Sequence, residues 1–214
     1  LDYSQYTIDR KMLIDFWVTA KPRAQPTAIG VLDMNVKIVD LVQGDLREEA
    51  WTLYSEAFAE LNALAVQRHL MYRHEFDDVM DDPRVHKYLC LDDDDTVRGV
   101  SIYTNQLDAV PLISPPYFQR RWPEHFADKR IWYCGFVATQ ADTRAATAFG
   151  ELVTAMYLTA AAQNGLIALD FCSRTDEVRR MARVVRLMLH RLSGDVKAQK
   201  IDEQQFWLYE FPAA

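Results

Sequence analysis

Two apolar runs, Ile131 to Ala138 and Leu166 to Cys172, constrain the fold of this chain more than anything else in it. A strand that is apolar at nearly every residue has to be covered on both faces, which places it inside a sheet rather than at its rim. Between the two runs, Phe149, Leu152, Val153, Met156, Tyr157 and Ala160 keep helical spacing over about 145–163. Asn164-Gly165 then ends the helix, with Gly165 suited to a left-handed cap. Buried strand, helix, buried strand is the grammar of an α/β domain.

The remaining elements are arranged around this unit. Val36, Ile38 and Leu41 form a short β-type run. Asp45 followed by Glu48 reads as a capping box, and Ala50, Leu53, Tyr54, Ala57 and Leu61 follow as one helical face. A second helix is expected over about 66–80, stopped at Pro83. Val85 to Leu91 and Val97 to Thr104 read as strands joined at Asp92-Asp93-Asp94-Asp95. These four acids lack the alternate ligand spacing, central Gly and later Glu of a calcium loop, so they read as a turn. Residues 105–130 hold four prolines and four large aromatics (Tyr117, Phe118, Trp122, Phe126), marking a long irregular loop. Such a loop is either functional or a flap packed by its own rings. Helix is expected again over 177–192, and Val196 to Ile201 with Gln205 to Phe211 read as a closing hairpin. Residues 1–33 form an arm, with a short helix over Asp9 to Ala20, ahead of one domain over 34–214. The arm can wrap the domain or reach a second copy in a homodimer.

Composition excludes several function classes. The net charge of −7 disfavours a general nucleic-acid binder, whose affinity comes from Lys and Arg on phosphates. Three cysteines are too few for a disulfide scaffold and read as inert core thiols of a reduced compartment. No apolar run approaches the roughly 18 residues of a membrane span, and no secretory signal is present, so a cytoplasmic protein is expected. His69 and His74 are five apart, the wrong spacing for a helical metal pair, and no metal is expected.

The order β, α, α, β, β, long loop, β, α, β, α, β, β resembles that of the GNAT acetyltransferases over roughly Asn35 to Phe211. The most telling match is Ala161-Ala162-Gln163-Asn164-Gly165 running into Leu166-Ile167-Ala168-Leu169-Asp170-Phe171. The family's phosphate loop, Gln/Arg-x-x-Gly-x-Gly/Ala, is matched only at Arg144, because Thr147 and Phe149 stand where glycines belong. The resemblance implies a mixed, mostly antiparallel twisted sheet flanked by helices. It further implies a pantetheine arm held by backbone groups of Phe136, Val137 and Ala138, and a pyrophosphate met by Arg144, Ala145, Thr147 and Ala148 at a helix N-terminus. Gly135 inside the strand marks a bulge or a close backbone approach.

The same resemblance puts Tyr133 where many members carry a general-base Glu, with Cys134 beside it; these are the expected catalytic residues. Neither is a good base at neutral pH unaided. The family's thiolate-protonating Tyr has no counterpart in Arg183 to Met188. For the acceptor, Glu75 can receive an amine and Arg73 a carboxylate, or both can lie on a solvated helix face. Tyr117 and Trp122 in the long loop, and Asp170 and Ser173 past a strand end, complete the substrate candidates. Arg174, Arg179, Arg180, Arg183, Arg186 and Arg191 can meet coenzyme A phosphates or an acidic carrier protein, or simply face solvent.

The function this implies is acyl transfer from a thioester, acyl-CoA or acyl carrier protein, to the amine of a small molecule such as an amino acid. The long aromatic loop and poor phosphate motif also look like the N-acyl amino acid and acyl-homoserine lactone synthases. An apolar tunnel beside the central strand would favour that branch. The competing expectation is a GNAT-fold binding module without catalysis, to which the missing glycines, Glu and Tyr all point.

Overall fold

The computed structural model describes residues 34–111 and 113–211; the arm and its short helix lie outside them. Strands β1 (Asn35–Val39), β2 (His86–Leu91), β3 (Val97–Thr104), β4 (Ile131–Thr139) and β5 (Leu166–Leu169) form one sheet in that order. The first four pair antiparallel, whereas β4 and β5 are parallel. Helices α1 (Asp45–Leu64) and α2 (Arg73–Asp81) connect β1 to β2, α3 (Pro115–Arg121) and α4 (Pro123–Ala127) lie between β3 and β4, and α5 (Ala145–Ala161) links β4 to β5. After β5 come α6 (Ser173–Arg179) and α7 (Met181–Ser193). The chain is thus a mixed α/β domain with a mostly antiparallel sheet flanked by helices.

Of the two runs expected inside the sheet, β4 is interior and wholly buried, but β5 is the last strand of the described sheet and its four residues are only half-buried, so its apolar run does not report a central position. All nine residues of β4 are buried, because α1 covers one of its faces and α5 the other. Phe136 meets Tyr54 and Phe76 under α1 and α2, with the Tyr54–Phe136 ring centroids 4.7 Å apart. On the opposite face Ala145, Ala148, Leu152 and Met156 of α5 are buried against the sheet.

Several local expectations are corrected. The first helix is entered through Gly44 at φ 60° rather than through an Asp45 cap, and Glu48 is held by Arg73 instead of reaching back. The second helix starts only at Arg73. There the Glu75 carboxylate accepts the Tyr72 N–H at 2.7 Å, a local bond that fixes the start of the helix. The helix expected over 177–192 begins earlier and is broken at Arg180, which sits in the left-handed region at φ 54°. The left-handed residue after α5 is Asn164 (φ 49°), not Gly165. Gly165 is instead required by crowding, since a Cβ there would lie 2.8 Å from the Arg130 carbonyl oxygen. The long loop carries two short helices, each opened by proline, which supplies the preset φ of a first helical turn. The closing hairpin does not form: residues 194–211 contain no strand.

Candidate functional site

The β4–β5 ladder runs from Ile131↔Leu166 to Cys134↔Leu169 and stops there. β4 continues to Thr139 with β3 as its strand partner, while the chain leaves β5 through Asp170 and Phe171 toward α6. From Gly135 onward, the peptide groups of β4 that face away from β3 therefore have no strand beside them among the described residues. In a sheet such groups alternate along an edge and seek hydrogen-bond partners.

Gly135 forms a bulge at this fork. Ile102 pairs with Phe136 and Tyr103 with Cys134, so Gly135 is the extra residue. A Cβ on Gly135 would stand 2.4 Å from Ile102 Cδ1 and 2.5 Å from its Cγ1. Both readings of this glycine made from sequence hold together here: the bulge exists, and it brings the backbone close to Ile102. The extra residue also resets the alternation of side chains. Cys134 and Val137, three apart, line the same cavity on the α5 face, which a regular strand would not allow.

That cavity, of about 50 Å3, is walled by β4, β5, α5 and α7. Phe149, Val153 and Met156 come from α5, and Met181, Val185 and Leu189 from α7, with Asp170 and Phe171 also in the lining. Its size suits a few water-sized groups, and its lining is almost wholly apolar. Met181, Val185 and Leu189 were legible as a helix face, but a helix face alone does not distinguish core from cavity wall.

On the other side of the fork, the Tyr133 hydroxyl donates a short hydrogen bond to Asp170 Oδ1. The Tyr133 ring is buried with Leu107, Val110, Phe118 and Ile131, and Tyr117 and Trp122 pack against this cluster. Four residues chosen from three separate segments of sequence (Tyr117, Trp122, Tyr133 and Asp170) are thus gathered around the point where the strands part. No family model, curated protein or solved structure matches the chain.

Other candidates are occupied elsewhere. Cys134 faces the α5 layer near Ser101 and Met156, and burial pushes its thiol up to about 12, leaving it protonated at neutral pH. Phe136 and Ala138 contribute side chains to the core and only backbone to the edge. Glu75 is clamped by Arg68 through two bonds of 2.5 and 2.6 Å, which with the Tyr72 N–H holds its carboxyl down to about 2. Arg73 forks onto Glu48 at 2.6 and 2.7 Å and reaches Asp77 at 2.9 Å. Both residues are held in ion pairs that tie α2 to its surroundings. Ser173 opens α6 and is exposed.

At the N-terminus of α5, Ala145 and Ala148 are buried and Thr147 is exposed. Arg144 turns to the buried Asp92, at 3.4 Å, beside Arg98, which also bonds Asp92 and Gln140. The Asp142 carboxylate accepts the Arg144 N–H at 2.8 Å. A carboxylate already lies where an incoming phosphate would sit, and the arginine is neutralised by another. Sequence offered no sign of this, because Asp92 is 52 positions away, in a run that reads as a turn. A larger cleft of about 400 Å3 lies between the end of β3 and α4, lined by Asn105, Asp108 and Lys129 among others. Two of its polar groups are engaged: Asn105 donates to the Lys129 carbonyl and Arg84 holds Asp108.

No helix among the described residues is long and apolar enough to cross a membrane.

Proposed function

We propose that this protein transfers an acyl group from a thioester to the amine of a small molecule, with the fork between β4 and β5 as its reaction site. The observation that carries the reading is the fork itself: β4 runs on past a glycine bulge after its ladder with β5 has ended, with Tyr133 and Asp170 hydrogen-bonded at its mouth. An extended pantetheine arm carries amide groups, and the backbone of a strand that outruns its neighbour is a natural partner for them.

In this reading the amine attacks the thioester carbonyl carbon, and the tetrahedral oxyanion is met by a β4 backbone N–H beyond Gly135. Asp170 accepts the proton released by the amine. The Tyr133 hydroxyl gives its proton to the departing thiolate and is reprotonated from Asp170, so the pair ends as it began. Cys134 takes no part. The apolar cavity beside Cys134 and Val137 receives the start of an aliphatic acyl chain, which favours a fatty rather than an acetyl donor. The carboxylates at the head of α5 disfavour a pyrophosphate held close there, and so favour a carrier-protein donor over coenzyme A.

The same crowding supports a second reading, a binding module of this architecture without catalysis. One experiment separates them. The protein is titrated with acetyl-CoA, long-chain acyl-CoA and acyl-loaded carrier protein by calorimetry, and thiol release is followed on adding amino acids. Saturable binding with amine-dependent thiol release supports the transferase; no binding to any of the three thioesters leaves the inert module.

A further inference from the structure

The last described segment of the chain has the character of a strand, and no strand pairs with it among the described residues. Phe206, Trp207, Leu208, Tyr209 and Phe211 are 51–87% exposed. In an extended segment Trp207, Tyr209 and Phe211 share one face, and Phe206, Leu208 and Glu210 the other. Aromatic content of this kind, spread across two faces, fits a sheet rather than solvent.

The same molecule holds a matching vacancy. Among the described residues no strand pairs with the outer edge of β5, and all four β5 residues are only half-buried. Unpaired edges of this sort invite another strand. The chain already reaches the neighbourhood: Ile201 packs on the cluster that includes Leu166 and Ala168, and its carbonyl accepts the Tyr117 hydroxyl at 3.2 Å.

Folding the segment back onto its own β5 requires a reversal at Asp202-Glu203-Gln204. Three-residue hairpin loops place a residue in the left-handed region, usually glycine. These three positions contain no glycine, asparagine or proline, and no residue from 195 to 211 has a positive φ. A chain that cannot easily turn back continues outward. Lone donor strands and lone acceptor edges on identical molecules are satisfied together by reciprocal exchange about a two-fold axis, which closes the assembly.

We infer that two copies of this chain exchange the segment Gln205–Phe211, each adding it as a strand to the outer edge of the other's β5. The five exposed side chains offer roughly 700 Å2 per copy, at about 200 Å2 for a large side chain. Two such arms bury about 1,400 Å2, within the range of stable interfaces. The exchange stands on the edge and the arm alone, independent of any chemistry at the fork.

Sedimentation velocity of the full chain and of the double variant Trp207→Pro/Leu208→Pro tests this directly, because consecutive N–H groups of a strand face opposite sides and one of the two must lie in the ladder. The full chain is expected near twice 24.8 kDa, and a folded double variant near 24.8 kDa. A monomeric full chain, or a double variant that stays dimeric, overturns the inference. Hydrogen exchange on the unaltered chain gives an independent readout if the variant misfolds. Amides of 205–211, and those of Ile167 and Leu169, which alternate with the β4-bonded Leu166 and so point outward from β5, should be protected at high concentration and lose at least tenfold of that protection on dilution below the dimer's dissociation constant. Protection that survives dilution into the monomer means pairing within one chain, and no protection at any concentration means no added strand; either result overturns it.

Discussion

Gly135→Ala tests the geometry of the fork most sharply, because the added methyl group has one obstacle. Its carbon would sit 2.4 and 2.5 Å from two atoms of the Ile102 side chain, and the next neighbour, Ile102 Cβ, is at 3.9 Å. Non-bonded carbons rest at about 3.5–4.0 Å, so the overlap is about 1.2 Å. Ile102 is buried and β-branched, with little freedom to swing aside. Relieving such an overlap in a packed core costs about 1–3 kcal/mol. Gly135 is not in the left-handed region, so alanine meets no backbone obstacle.

The partner substitution removes that obstacle. Ile102→Ala deletes both offending atoms and by itself costs about 2–5 kcal/mol as a buried truncation. In that background the Gly135→Ala methyl meets Cβ at an ordinary distance, and the loss of unfolded-state freedom then stabilises by about 0.4–1 kcal/mol. That gain is present in both backgrounds and cancels in the cycle, so the coupling is the cost of the overlap itself, about 1–3 kcal/mol. Urea unfolding of the four proteins reads this as a midpoint shift of about 1 M between backgrounds at constant slope. If Gly135→Ala costs the same with and without Ile102, the close approach is not what keeps glycine in β4, and the bulge has another cause.

Asp170→Asn should lower thioester turnover about 100-fold while leaving donor affinity unchanged, read by single-turnover thiol release beside calorimetry; equal losses in both would make Asp170 a binding group instead. Lys87 is buried with its ammonium on the carbonyls of Asp40 and Asp82, and burial lowers its pKa to about 8. The unfolded chain therefore holds more protons above that value, and this lysine's contribution to stability rises with pH, by about 1.5 kcal/mol between pH 8 and 9.5. The Lys87→Met variant should lack the rise, so the difference between the two proteins in urea at each pH isolates it from the Cys90 and Cys134 thiols, which burial pushes up to about 12 and which act in the opposite direction. Arg98→Met leaves the buried Asp92 carboxylate with Arg144 and the Thr96 N–H. It should cost about 2–3 kcal/mol, a fall of roughly 4–12 °C in melting temperature by calorimetry.

What the sequence made legible divides by range of interaction. The five strands and the long helix between β4 and β5 could be read because apolar periodicity reports burial residue by residue. Gly135 could be read because a glycine in a buried strand has few reasons to be there. The break at Arg180 could not: Arg179 to Arg183 keeps good helix formers, and the left-handed turn separates α6, which buries Thr175, from α7, which buries Met181 and Met188. The fate of Arg144 was equally hidden. Its carboxylate partner comes from the β2–β3 turn, brought there by the antiparallel pairing of β3 with β4.

The closing hairpin marks the same boundary from the other side. Val196 to Phe211 has the composition of two strands, and composition alone does not say which edge receives them. An acceptor edge on β5 is set by the order of the sheet, and the turn that would reach it is governed by Asp202-Glu203-Gln204, three residues ill-suited to reversal. β5 is therefore where two different openings meet. Its inner side parts from β4 past Leu169, and its outer side meets no strand among the described residues. A strand added on the outside would stiffen β5 and fix Asp170 at the mouth of the fork, so an arm that assembles two copies would also hold the Tyr133–Asp170 pair in register.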